Sequence, residues 1–184
     1  MDYSGIPIYL ILGFIILLAI ILLLAAFFMR KMAKKQNELT FYEQDAGNKE
    51  YDLDLLLRDQ AERLSYLAVL LQKYDADGKL RQTVADAQNE ERSVAECYKS
   101  IQSAGRIMND MIAKNPQIIE NPMYAELMNE IEINARKIHE FKEKYNTAAA
   151  KYNKMIKAPT NADIADKWDF EEKEILGASP EMNQ

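Results

Sequence analysis

The chain has few of the residues from which sites and turns are made. One cysteine among 184 residues excludes a disulfide framework, and together with one histidine it excludes a zinc site built from Cys and His. Six glycines and five prolines are too few for a turn-rich β fold and favour long uninterrupted helices. No phosphate-cradling Gly-rich loop, no Gly-x-Gly-x-x-Gly and no Gly-x-Ser-x-Gly occurs. A di-metal carboxylate bundle needs two Glu-x-x-His motifs, but Arg136 stands three residues before the lone His139. His139 neighbours the apolar Ile138 and reads as a satisfied or partly exposed imidazole. Cys97 lies in VAECYKS beside Glu96, a setting that raises a thiol pKa, and reads as a packing residue. The acidic pairs Glu90-Glu91, Glu130 with Glu132 and Glu140 with Glu143 read as solvated helix faces. No catalytic, metal-ligating or cofactor-binding residue is expected, and no cofactor.

Charge is missing in one place altogether, from Tyr3 through Met29. Arg30, Lys31, Lys34 and Lys35 follow at once. Setting those four and Asp2 aside from totals of 23 basic and 29 acidic residues leaves 19 against 28 over residues 36–184. That acidic balance argues against nucleic acid as a partner, because phosphates demand a basic surface. Ile6 to Met29 is nearly unbroken Ile, Leu, Ala and Phe. As a helix it spans ~36 Å, enough to cross a ~30 Å hydrocarbon core with some tilt. Pro7 suits a helix start, and Tyr3 and Tyr9 suit an interface. A cleaved signal peptide needs a positive start and a shorter apolar core, whereas here Asp2 opens the chain. The basic cluster at residues 30–35 has no counterpart before Ile6. By the positive-inside rule the N-terminus lies outside and residues 30–184 in the cytoplasm, at the cell (plasma) membrane.

The remainder reads as helix nearly throughout. Residues 30–46 are good helix formers that can simply prolong the membrane helix, with Gly47-Asn48 the one break signal before the next run, where a kink or short loop fits. Leu53, Leu56, Leu57, Leu64, Leu67, Leu71 and Tyr74 mark one face of an amphipathic helix. Asp75-Ala76-Asp77-Gly78 is a turn. Leu80, Val84, Ala87, Val94, Tyr98, Ile101, Met108 and Ile112 define the next helix, ended by Asn115-Pro116. A connector leads to Pro122, and Tyr124, Leu127, Ile131, Ala135, Ile138, Phe141, Tyr145, Ala149, Tyr152 and Ile156 form another seam before Pro159. Two helices of roughly 35 residues each are expected here. Asn161 to Leu176 reads as a short helix whose Trp168 packs on the bundle, and Gly177 to Gln184 as a frayed tail. The expected fold is all-α: a single N-terminal transmembrane helix followed by a long antiparallel bundle of three to four helices. In segments this gives a short outer terminus over 1–5, a membrane helix over 6–29, a juxtamembrane stalk over 30–48, the bundle over 49–176 and a tail over 177–184.

Tyr145-Asn146 and Tyr152-Asn153 repeat at seven residues, followed by Ile156, Pro159, Asn161, Ile164-Ala165 and the aromatics Trp168 and Phe170. This pattern resembles the LemA family, whose helix closes with a doubled Tyr-Asn, a proline, an Asn, an Ile-Ala pair and aromatics. Pro116 and the stretch Glu120 to Lys144 are also similar to that family, and the resemblance covers roughly residues 50–170. The family pattern departs in places: Asp-Leu-Ile-Pro-Asn-Leu stands here as Arg63-Leu64-Ser65-Tyr66-Leu67, without its proline and asparagine, and the spacings from Asn153 to Pro159 and from Asn161 to Ile164 are shifted by one residue each. The resemblance implies an N-terminal anchor and an antiparallel helical bundle of unsettled biochemical role, and it points towards membrane organisation rather than catalysis without assigning a specific function. On the residues alone, Tyr145 and Tyr152 are seam positions, and a seven-residue repeat returns Asn146 and Asn153 to one face. From there their amides can cap or bridge a neighbouring helix.

These features together predict a non-enzymatic, membrane-anchored scaffold or interaction module. It would touch the bilayer through residues 6–29, with Arg30, Lys31, Lys34 and Lys35 at the headgroups, and engage an unknown protein partner or a second copy. The alternatives are a self-assembling membrane-shaping protein and an accessory subunit of a membrane enzyme.

Overall fold

The structure, a computed structural model, describes residues 8–177. The expected outer terminus over 1–5, Pro7 and the tail beyond Gly177 lie outside the described residues. Every regular element within them is helical: α1 (Ile8–Leu70), α2 (Lys79–Gln88), α3 (Val94–Lys114), a short 3-10 helix (Pro116–Glu120), α4 (Pro122–Lys157) and α5 (Ala162–Lys167). The all-α bundle is thus borne out. The chain divides into two compact units.

One unit holds the chain up to Phe41 together with Met155–Glu171. Its part of α1 opens with an apolar stretch of mean hydropathy 3.3, none of which is buried. It is a candidate membrane-spanning helix. Beyond it, Leu39, Ile156, Ile164 and Ala165 are buried. The chain turns after α4 where Pro159 forbids its continuation. Asn161 Nδ2 donates to the Met155 carbonyl at 3.0 Å, and Asn161 N to that of Ala158 at 2.8 Å, so this asparagine satisfies the open end of α4.

The other unit holds Tyr42–Lys154 and the segment from Glu172. Two apolar clusters fill it. Leu64, Leu67, Leu71, Leu80, Val84, Met108, Met111, Ile118, Tyr124 and Ile131 belong to the first. The second gathers Leu53, Leu57, Ala61, Ala87, Ala95, Cys97, Ile138, Tyr145, Ala149 and Leu176. Gln60 and Asn134, both buried, form a polar pair with their own bonds: Asn134 Nδ2 donates to Gln60 Oε1 at 3.0 Å and to the Leu56 carbonyl at 3.1 Å, and Gln60 Nε2 to the Ile131 carbonyl at 3.3 Å.

Four local expectations are corrected. Gly47-Asn48 is no break, because α1 runs through it. A glycine inside a helix costs only about 1 kcal/mol against alanine, and fully buried Ala46, Leu53 and Leu57 on either side hold the helix. Second, residues 80–112 form two helices, not one. Ser93 Oγ accepts from Glu96 N at 3.2 Å while the Glu96 carboxylate accepts from Ser93 N at 3.0 Å, a capping box that starts α3 afresh. The restart shifts the helical phase, so Ala95, Cys97, Ala104 and Met111 are buried while Val94, Tyr98, Ile101 and Ile112 are only partly covered. Third, Ala135 is exposed and Asn134 takes the seam position, which its amide bonds permit. Finally, only Ala162–Lys167 of the 161–176 stretch is helical. Asp169 leaves that helix at φ 53°, and residues 170–175 carry no helix.

Candidate functional site

Asn146 and Asn153 lie on α4, seven residues apart, which is about 10.5 Å of helix rise. Lys173 and Leu176 lie on an irregular strap, residues 172–177, three residues apart, which is about 10 Å of extended chain. These two periods match, and both asparagines meet the strap's main chain. Asn146 Nδ2 donates to the Leu176 carbonyl at 2.9 Å and its Oδ1 accepts from Leu176 N at 2.9 Å. Asn153 repeats the pair on Lys173, at 2.8 Å to the carbonyl and 2.9 Å from the N–H. Each amide thus presents one donor and one acceptor, as a peptide group does in a sheet ladder. The lower-numbered asparagine meets the higher-numbered strap residue, so the strap runs antiparallel to α4.

Three further contacts set which residues sit where. Tyr145 Oη donates to the Glu174 carbonyl at 2.8 Å. Leu176 is buried among the second cluster beside Tyr145, Ala149 and Leu53. At the rim, Lys173 Nζ lies 2.6 Å from Glu50 and Lys99 Nζ lies 2.9 Å from Glu174. Burial pushes the Tyr145 phenol well above the usual tyrosine range, and the negative charges of Glu50 and Glu174 push it the same way. It therefore stays protonated and able to donate.

The family-pattern residues divide between the two units. Tyr145, Asn146 and Asn153 form the clamp, and Tyr152 is a fully buried residue of the same helix. In the other unit, Pro159 is exposed at the turn after α4, Asn161 caps that helix, Ile164 and Ala165 are buried, and Trp168 is half-buried with Lys167 Nζ 4.8 Å above its ring. Arg30, Lys31 and Lys34 are exposed on α1, whereas half-buried Lys35 donates to the Thr160 carbonyl. Sequence reasoning missed Lys173, Glu174 and Leu176, and their partners Glu50 and Lys99. The available signal was the asparagine pair itself, two peptide-like groups on one helix face with no helical partner required at that spacing.

Elsewhere, the lone histidine lies in an open groove of about 680 Å³ with Asp45, Lys49, Glu143 and Lys151. Glu140 in the same groove accepts from Lys144 at 2.6 Å, and that bond holds its carboxyl below the usual range. No group of three or more His, Cys, Asp or Glu placed to hold a metal occurs among the described residues. Cys97 is buried with its Sγ 3.2 Å from the Ala87 carbonyl, and burial raises its thiol pKa. Arg63 of α1 pairs with Asp59 one turn back on the same helix and with Glu130 of α4.

The fold and clamp define a class: a helical-bundle protein with a candidate membrane-spanning helix near its N-terminus, whose last long helix grips an extended segment by the main chain. The chain belongs to the LemA family, whose model matches residues 70–184. The match begins later than the sequence pattern did and takes in the strap as well as α2 to α5. No curated protein matches the chain significantly.

Proposed function

We propose that this protein is a non-enzymatic scaffold anchored in the cell membrane, which holds an acidic helical surface on the cytoplasmic side for protein partners. The observation that carries the reading is the first stretch of α1, where every large apolar side chain from Ile8 to Met29 is exposed. Lipid is the medium that satisfies such a surface, because burial removes apolar area from water whichever neighbour supplies it. Orientation rests on the basic residues that follow. Exposed Arg30, Lys31 and Lys34 each add about 1 kcal/mol of attraction to anionic headgroups. The net charge of −6 supports protein rather than nucleic-acid partners.

Chemical crosslinking in native membranes, with the linked peptides identified by mass spectrometry, tests this reading. A recurrent foreign partner linked near-stoichiometrically to α3 or α4 is the expected result. Recovery of the chain in the soluble fraction would refute the anchor. Diffuse links with no recurrent partner would refute the scaffold and return weight to an enzyme's accessory subunit.

A further inference from the structure

We propose that the asparagine clamp is an exchangeable docking groove, and that its second occupant is the strap of another copy of this chain. The strap's place in its unit is unlike that of the helices. It clusters with Tyr42–Lys154 although the seventeen residues between, Met155–Glu171, cluster with the first part of the chain. What holds it there is a set of side chains that recognise main chain. Asn146 and Asn153 each make a donor and acceptor pair, and Tyr145 adds a donor. Of residues 172–177 only Leu176 is buried. Such a segment leaves without dismantling a helix, and a groove that reads main chain accepts any extended chain carrying the right flanking residues.

Those flanking residues identify the occupant. Glu50 faces a lysine, Lys99 faces a glutamate one residue on, and the apolar cluster accepts a leucine two residues further. Lys173-Glu174-Ile175-Leu176 supplies all three, and every copy carries it. Exchange between copies therefore reproduces each contact of the closed form without a new complementary surface. The step rests on the membrane-anchored reading for one thing only, the concentration of copies in a shared plane, which favours pairing in trans.

The test uses the full-length chain. Two differently tagged variants, Glu50→Lys and Lys173→Glu, are expressed together and each is captured from solubilised membranes. Each variant repels its own strap, but the groove of the first matches the strap of the second. Co-capture of the mixed pair should exceed that of either variant with itself by about fivefold, the scale of one partly exposed charge pair. The double variant Glu50→Lys/Lys173→Glu should fall back to the wild-type level, which separates exchange from unfolding. Equal capture in all combinations overturns the proposal, as does a mixed-pair gain that survives Asn146→Ala/Asn153→Ala. A photoreactive residue in place of Ile175, in a mixture of isotope-labelled and unlabelled chains otherwise unchanged, gives a second reading. Links joining labelled to unlabelled copies support exchange, whereas links within one copy only, or to a foreign protein, overturn it. Sedimentation of the same membranes tests the anchor separately, so the two readings can fail independently.

Discussion

Two apolar stretches lie on one helix and draw on the same few side chains. Leu17 is 54% exposed and Leu57 is 0% exposed, although both are leucines in mid-α1. The first stretch is apolar all round and uncharged. The second keeps its leucines on one face, with Asp54, Arg58, Asp59 and Glu62 between them. Apolar content alone therefore decides little. Periodicity and the placing of charge decide whether a helix seeks lipid or a protein core.

Exchanging the environments breaks the comparison most severely. Leu57→Lys puts an ammonium into the apolar second cluster, and should cost more than about 4 kcal/mol, read as loss of cooperative unfolding by circular dichroism. Leu17→Lys should leave that unfolding transition in place. It instead adds about 2.5–3.5 kcal/mol to insertion, read as a fall in the membrane-bound fraction.

The covered stretch can then be tested through what covers it. Asn153→Ala removes both bonds to Lys173 and should ease strap opening by about 1–3 kcal/mol. Hydrogen exchange should speed up at the Lys173 and Leu176 amides and leave Leu57 unaffected. Tyr145 sharpens the same point by pH. Its folded pKa is raised, so its contribution is fully present below the unfolded value near 10 and is lost as pH rises from there towards the folded value. Alkaline unfolding should thus begin above about pH 10, and Tyr145→Phe should move that limit upward. The smallest effect is expected at the α3 cap, where Ser93→Ala should cost about 0.5–2 kcal/mol in denaturant unfolding.

Much of this was legible in the chain before any contact was known. Leu53, Leu57, Leu64, Leu67 and Leu71 announce their face by spacing, and Pro116, Pro122 and Pro159 mark where helices stop or start. The break at Asn89–Ser93 was also present, as Ser93 and Glu96 three residues apart, but the apolar steps on either side masked it. Asn134 illustrates the opposite case. An asparagine beside an alanine gives no reason to face the core until Gln60 and the Leu56 carbonyl are there to receive it. The clamp lies between these cases, since the repeat of Asn146 and Asn153 was visible while the strap they hold was not.

By itself the sequence determined the all-helical class, most of the apolar faces, the long apolar stretch and the family, because these follow from local propensity, periodicity and motif spacing along the chain. Only the tertiary structure decided the phase of α3 and what the two asparagines grip. An amide hydrogen-bonds helix, turn or extended chain equally well, and its partner here lies twenty to thirty residues away, a pairing set by folding rather than by any local preference.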